Sequence, residues 1–158
     1  MIAQLNYQGI WGPPVGLAAR AKTVELVVQS GLCNDVRSVH PGCAFSSGPG
    51  GNVEKMVAIR RPAARGRWHQ LVVHVRWATD AHGVIEVWHR LRGNARWVRT
   101  VRAGGFPTVQ WSVSRPPTYQ GTVDKIGAYR GRARFPLTIW HDSFVVGTSF
   151  AGVASKFP

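Results

Sequence analysis

Acidic residues are scarce in this chain. Seven Asp and Glu stand against 20 Lys and Arg among 158 residues, for a formal net charge of +13. No acidic loop points to calcium, although the sequence leaves such a site open. Cysteine is equally sparse. Cys33 and Cys43 lie in a Gly-, Ser- and Pro-rich stretch with nine residues between them. A disulfide is geometrically allowed there and is not dictated. No CxxC pair or His/Cys cluster at zinc spacing occurs, so neither a metal nor a cofactor is expected. No apolar run approaches the ~20 residues of a membrane-spanning helix. Met1–Gln8 has no basic stretch followed by an apolar one, so no signal peptide is expected from these residues. Helical periodicity is missing too, as are internal repeats. Without a basic helix, the usual DNA-binding motifs have no support.

What the chain has is short alternating segments punctuated by 18 glycines and 10 prolines. The patterning predicts strands at Ile2–Gln8, Val15–Arg20, Thr23–Gln29, Val53–Arg60, Trp68–Trp77 and Val84–His89. It predicts further strands at Ala95–Val101, Thr108–Ser112, Thr122–Arg130, Leu137–His141 and Ser143–Thr148. Ala151–Pro158 reads as a tail. Many short strands with Gly/Pro turns argue an all-β antiparallel sandwich or barrel. The length suits one domain, placed at residues 1–155, with 156–158 outside it. The positive field attracts polyanions, and an arginine-rich composition alone would produce the same excess.

WHQLVVHVRW at Trp68–Trp77 is the strongest strand. Leu71, Val73, Val75 and Trp77 share an apolar face, while Gln70, Val72, His74 and Arg76 share the other. It pairs with VIEVWH, Val84–His89, as an antiparallel hairpin. On that strand Glu86 and Trp88 lie opposite to Ile85 and Val87. Trp68, Trp77, Trp140 and Phe144 are expected in the core, and His69, His89 and His141 on the surface.

TVDKIGAYRGR at Thr122–Arg132 carries the chemistry. Val123, Lys125, Gly127 and Tyr129 share one face, and Ile126 and Ala128 the other. A lysine and a tyrosine flanking a glycine make a poor core and a good groove floor. Gly127 leaves room for a ligand. Lys125 offers a point charge for an anion, and Tyr129 a phenol that gives or takes a proton.

Four stretches together resemble one family. GRWHQLVVHVRWATDAHGVIEVWH is similar to the paired strands of heparin-lyase-like polysaccharide lyases. DKIGAYR resembles the strand recurring in those lyases and in the related alginate and glucuronan lyases. WHDSFVVGTSFAGVAS resembles their closing strand, and IAQLNYQG their Gln-containing strand. The resemblance spans most of Met1–Ser155 and is least clear over Ser30–Gly66. It implies a concanavalin A-like jelly roll of two antiparallel sheets and β-elimination on a uronate polysaccharide. The family carries an Arg-bearing strand upstream of its Gln strand, so N-terminal strands are expected to be missing from this chain.

That chemistry needs a neutralised carboxylate, a base for the C5 proton and an acid for the departing oxygen. By resemblance, Gln4 hydrogen-bonds the carboxylate, Lys125 holds a carboxylate or sulfate, and Tyr129 is the acid, with the base role open to it. His74 is a further proton-carrier candidate. Asn6 stands where the family commonly has histidine; it donates to an oxygen but takes no proton. Arg76, Glu86 and Trp88 are candidate substrate contacts, Trp88 by stacking. The expected partner is an acidic, uronate-containing polysaccharide, sulfated or not, acted on by a monomer, with secretion implied by the resemblance. Nucleic acid and membrane are not expected. A binding module on the same sandwich, with catalysis lost, is the alternative. A basic nucleic-acid binder is a third reading, without a motif.

Overall fold

The computed structural model describes residues 3–7, 15–19, 23–32, 51–59, 66–111, 122–127 and 138–158. Tyr129, Cys33 and Cys43 lie outside them. Nine strands occur in the described residues: β1 Ala3–Tyr7, β2 Val15–Ala19, β3 Val24–Leu32, β4 Gly51–Ile59, β5 His69–Arg76, β6 Val84–Leu91, β7 Val98–Gly104, β8 Gln110–Trp111 and β9 Thr122–Ile126. One short helix, α1, runs over Phe150–Ala154.

The strands form two sheets. The larger has the order β4-β3-β2-β1-β9, with β8 attached in parallel to the end of β3. The smaller is the meander β5-β6-β7. Apart from β8, every pairing is antiparallel. This is the all-β sandwich that the alternating pattern predicts.

Period-two alternation explains the core. In β2 and β3 the residues Val15, Leu17, Val24, Leu26 and Val28 face the smaller sheet. They meet Ile85, Val87 and Val101 there, with Leu71, Val73 and Val75 packed alongside. Leu26, Val28, Ile85 and Val87 are fully buried, and each contributes about 1.5–3 kcal/mol through burial.

All four large aromatics expected in the core are exposed instead. Trp68 and Trp77 are 42% and 37% exposed. They flank β5 just past its two ends. Trp140 and Phe144 are 78% and 55% exposed. They lie in residues 138–148, where the alternation predicts strands and no regular structure forms. Ser143 adopts a positive φ of 54°, which an extended strand does not accommodate. Its hydroxyl donates to Asp142 Oδ1 at 3.1 Å.

The C-terminal residues form no loose tail. Ser149 caps α1, its Oγ accepting from the Gly152 N–H at 3.1 Å, as a serine N-cap should. Arg90 fastens the end of the chain beyond the helix. Its guanidinium donates to the carbonyls of Phe157 and Pro158, each at 2.9 Å.

Candidate functional site

The register of the larger sheet brings Gln4 and Lys125 together. They are direct partners across β1 and β9. Asn6 pairs with Val123 in the same ladder. Gln4 also pairs with Gly16 of β2, Gly16 with Val27 of β3, and Val27 with Lys55 of β4. Gly16 alternates with the core residues Val15 and Leu17. This row of five therefore belongs to the face turned away from the smaller sheet.

Ala18 and Val27 on that face are buried, whereas Lys125 at the β9 edge is exposed. A side chain added at Gly127 would meet nothing within 4 Å. The face thus has a sheltered middle and an open edge that carries a cation. Glutamine offers amide donors and lysine a movable positive charge. That pairing suits a carboxylate whose charge grows during a reaction. Tyr129, the expected proton carrier, lies outside the described residues.

The other predicted site residues are elsewhere. His74, Arg76, Glu86 and Trp88 belong to β5 and β6, on the outer face of the smaller sheet. Val87 and Ile85, which alternate with Glu86 and Trp88, are core residues facing the larger sheet. The two groups are therefore on opposite outer faces of the sandwich and do not share one groove. Periodicity places a residue on a face of its own sheet, but it does not say which sheet that face looks toward.

Glu86 organises this second face. Its carboxylate accepts from Arg99 at 2.9 Å, pairs with His74 Nδ1 at 3.1 Å, and lies 3.9 Å from Arg102 Nε. Its side chain is only 15% exposed. Two of these partners, Arg99 and Arg102, are not singled out by sequence reasoning. Arg102 is the direct register partner of Glu86, whereas the placement of Arg99 depends on a bulge in the β6–β7 ladder between Val87 and Trp88. There Val87 pairs with Val101 while Trp88 pairs with Arg99, so Thr100 is the extra residue. The bulge brings Arg99 to the face of Glu86 as well.

Trp88 is engaged by protein. Its ring lies 4.7 Å from that of Phe150, so α1 covers the surface expected to stack on a sugar. Trp97 meets Phe150 and Phe157 edge-on, and the Arg90 guanidinium sits 4.6 Å from the Trp97 centroid. Arg90 also donates to Gln70 Oε1 at 2.5 Å.

His69 and His89 form a pair rather than two separate surface residues. Their rings stack at 5.1 Å, with Nδ1 of His69 2.9 Å from Nε2 of His89. Burial, and secondarily the charge of His69, holds the His89 pKa below its ordinary value. Only the β5–β6 register reveals this contact, because the two lie 20 residues apart. Among the described residues no group of three or more His, Cys, Asp or Glu is placed to hold a metal. No helix there is long and apolar enough to cross a membrane.

Comparison with curated proteins returned no match, and neither did comparison with solved structures. A family model described as polysaccharide lyase matches residues 2–145. That span contains both sheets, the Gln4–Lys125 pair and the Tyr129 position. The chain belongs to the polysaccharide lyase family.

Proposed function

We propose that this chain is a lyase of the heparin-lyase-like kind, cleaving a uronate-containing polysaccharide by β-elimination. The observation that carries the reading is the direct pairing of Gln4 with Lys125, on an outer sheet face and inside the family match. In the proposed reaction Gln4 donates its amide to the C6 carboxylate of the uronate, and Asn6 supplies a second donor. Lys125 balances the charge that grows on that carboxylate as the C5 proton leaves. The C5–H electrons form the C4–C5 double bond, and the C4–O bond breaks. Tyr129 protonates the departing glycosidic oxygen and, as phenolate, is the candidate base for the C5 proton. A phenol of ordinary pKa near ~10 is a weak base at neutral pH, so a neighbouring cation must favour its ionised form. Lys125, two positions from Gly127 and four from Tyr129, is the natural source. His74 sits 3.1 Å from the Glu86 carboxylate on the opposite outer face and takes no part.

The test is the ultraviolet absorbance of an unsaturated uronate, followed with heparin, heparan sulfate, alginate and glucuronan. One of them is expected to yield product. Lys125→Ala should slow it by about 10²–10³-fold, the usual effect of losing one transition-state charge contact. Tyr129→Phe should cost about 10²–10⁴-fold, as loss of a general acid does. Full activity in Tyr129→Phe refutes the proton assignment. Absence of product with all four, alongside measurable binding, leaves a carbohydrate-binding sandwich without catalysis.

A further inference from the structure

The arginines on the outer face of the smaller sheet divide into two kinds. Arg90 is used up structurally, holding Gln70, two C-terminal carbonyls and the Trp97 ring. Arg76, Arg99 and Arg102 are not. Arg76 is exposed and makes no ion pair or side-chain hydrogen bond among the described residues. Arg102 is 71% exposed and reaches Glu86 only at 3.9 Å. Arg99 commits one nitrogen to Glu86. A guanidinium carries five N–H donors, so most of the donors on these three residues face solvent. Glu86 is the sole acid on this face among the described residues, and three arginines outnumber it.

The register spreads the charges as two flanking columns. Arg76 sits on β5, while Arg99 and Arg102 sit on β7, with β6 between them. Two strand spacings separate the columns by about 9–10 Å. The half-buried Glu86 lies between them and holds Arg99 in place. Toward Trp88 the face is closed by α1. At the other end Arg76 pairs with Val84, and Val84 with Gly104, so no acid stands across from Arg76.

We propose that this face is a second binding surface for an anionic polysaccharide, distinct from the Gln4–Lys125 face. Its chemistry is charge complementarity: planar guanidinium forks suit carboxylate and sulfate oxygens in pairs. The choice of a polysaccharide rests on the lyase reading, but the surface does not need turnover to be detected.

The probe is a short heparin oligosaccharide, titrated calorimetrically at several salt concentrations. The double variant Arg76→Ser/Arg102→Ser is compared with Arg67→Ser/Arg96→Ser, which removes the same charge from exposed positions at the other end of the sheet. Unaltered thermal melting checks that each variant folds. The wild type is expected to bind two oligosaccharides per chain, and Arg76→Ser/Arg102→Ser one. That variant should weaken the affected site by about tenfold or more and flatten its salt dependence by about one unit of slope per lost contact. The control pair should change affinity by about threefold or less, the effect of net charge alone. Equal losses in the two variants, or a wild-type stoichiometry of one, overturn the proposal. Equal affinity for a DNA duplex of matched charge overturns the assignment to polysaccharide. Failure of the lyase reading shows separately, as absence of unsaturated product while both binding events persist.

Discussion

Replacing Thr108 by valine keeps the volume of a fully buried side chain and removes one hydroxyl. That hydroxyl does two things. It donates to the Arg76 carbonyl at 2.8 Å and accepts from the Ala78 N–H at 2.9 Å. The Thr108 N–H also donates to the Ala78 carbonyl, at 2.9 Å. Together these bonds tie the end of β5 to the segment after β7. In Thr108→Val both hydroxyl partners lose their bond in a crowded place, at about 1 kcal/mol each and more where water cannot replace it. The expected loss is about 2–4 kcal/mol, a large share of the ~5–15 kcal/mol that holds a typical domain together. With a urea slope of about 2 kcal/mol/M, the midpoint falls by roughly 1–2 M and the slope itself is unchanged. Thr108→Ser is the counterpart, keeping the hydroxyl and losing a methyl worth about 0.8 kcal/mol. Serine should therefore be the more stable variant. If valine matches the wild type, or is at least as stable as serine, the hydroxyl does not anchor β5 and packing alone explains its burial.

Gly83→Ala should lower the melting temperature. The new Cβ would collide with the Phe106 carbonyl oxygen and lie 2.7 Å from Thr108 Cγ2, an overpacking cost of about 1–3 kcal/mol; an unchanged melting temperature refutes the crowding. Arg90→Ala should release the C-terminal segment, raising amide exchange in α1 by about tenfold or more while exchange in β6 changes little. Arg90→Lys should not restore protection, because one ammonium cannot serve Gln70, two carbonyls and the Trp97 ring together. Stability should fall with acidity through the His89 titration. Its folded pKa is depressed, so the unfolded chain binds the proton first. The loss begins as pH drops through about 6.5 and is complete below the folded value. Thermal melts across that range should show the slope, and His89→Gln should flatten it.

Strand existence is largely legible in the sequence, because alternation and glycine or proline breaks act locally. Trp68–Trp77 and Val84–His89 emerge as β5 and β6 with ends shifted by a residue or two. The pairing that joins Gln4 to Lys125 is not local, and only a family resemblance links those two stretches in advance. His74 and Glu86 show the limit from the other side. Both read as groove candidates because they sit on a polar strand face, and they do sit together on one. Which outer face that is depends on how two sheets stack, and strand periodicity is silent on it. Trp140 and Phe144 mark a different failure. Hydrophobicity predicts burial only when an element exists to carry the side chain inward, and none forms over residues 138–148.

The order of strands in the larger sheet has a consequence for how the chain folds. The meander β5-β6-β7 joins neighbours in sequence through short turns. The β1–β9 ladder instead joins the first of the described strands to the last. Closing so long a loop costs entropy before any contact repays it, and such pairings form slowly. The meander should therefore gain amide protection ahead of β1 and β9 in pulse-labelled exchange. The Gln4–Lys125 pair would then be among the last features a folding chain acquires, and removing either end strand would abolish it while leaving the meander intact.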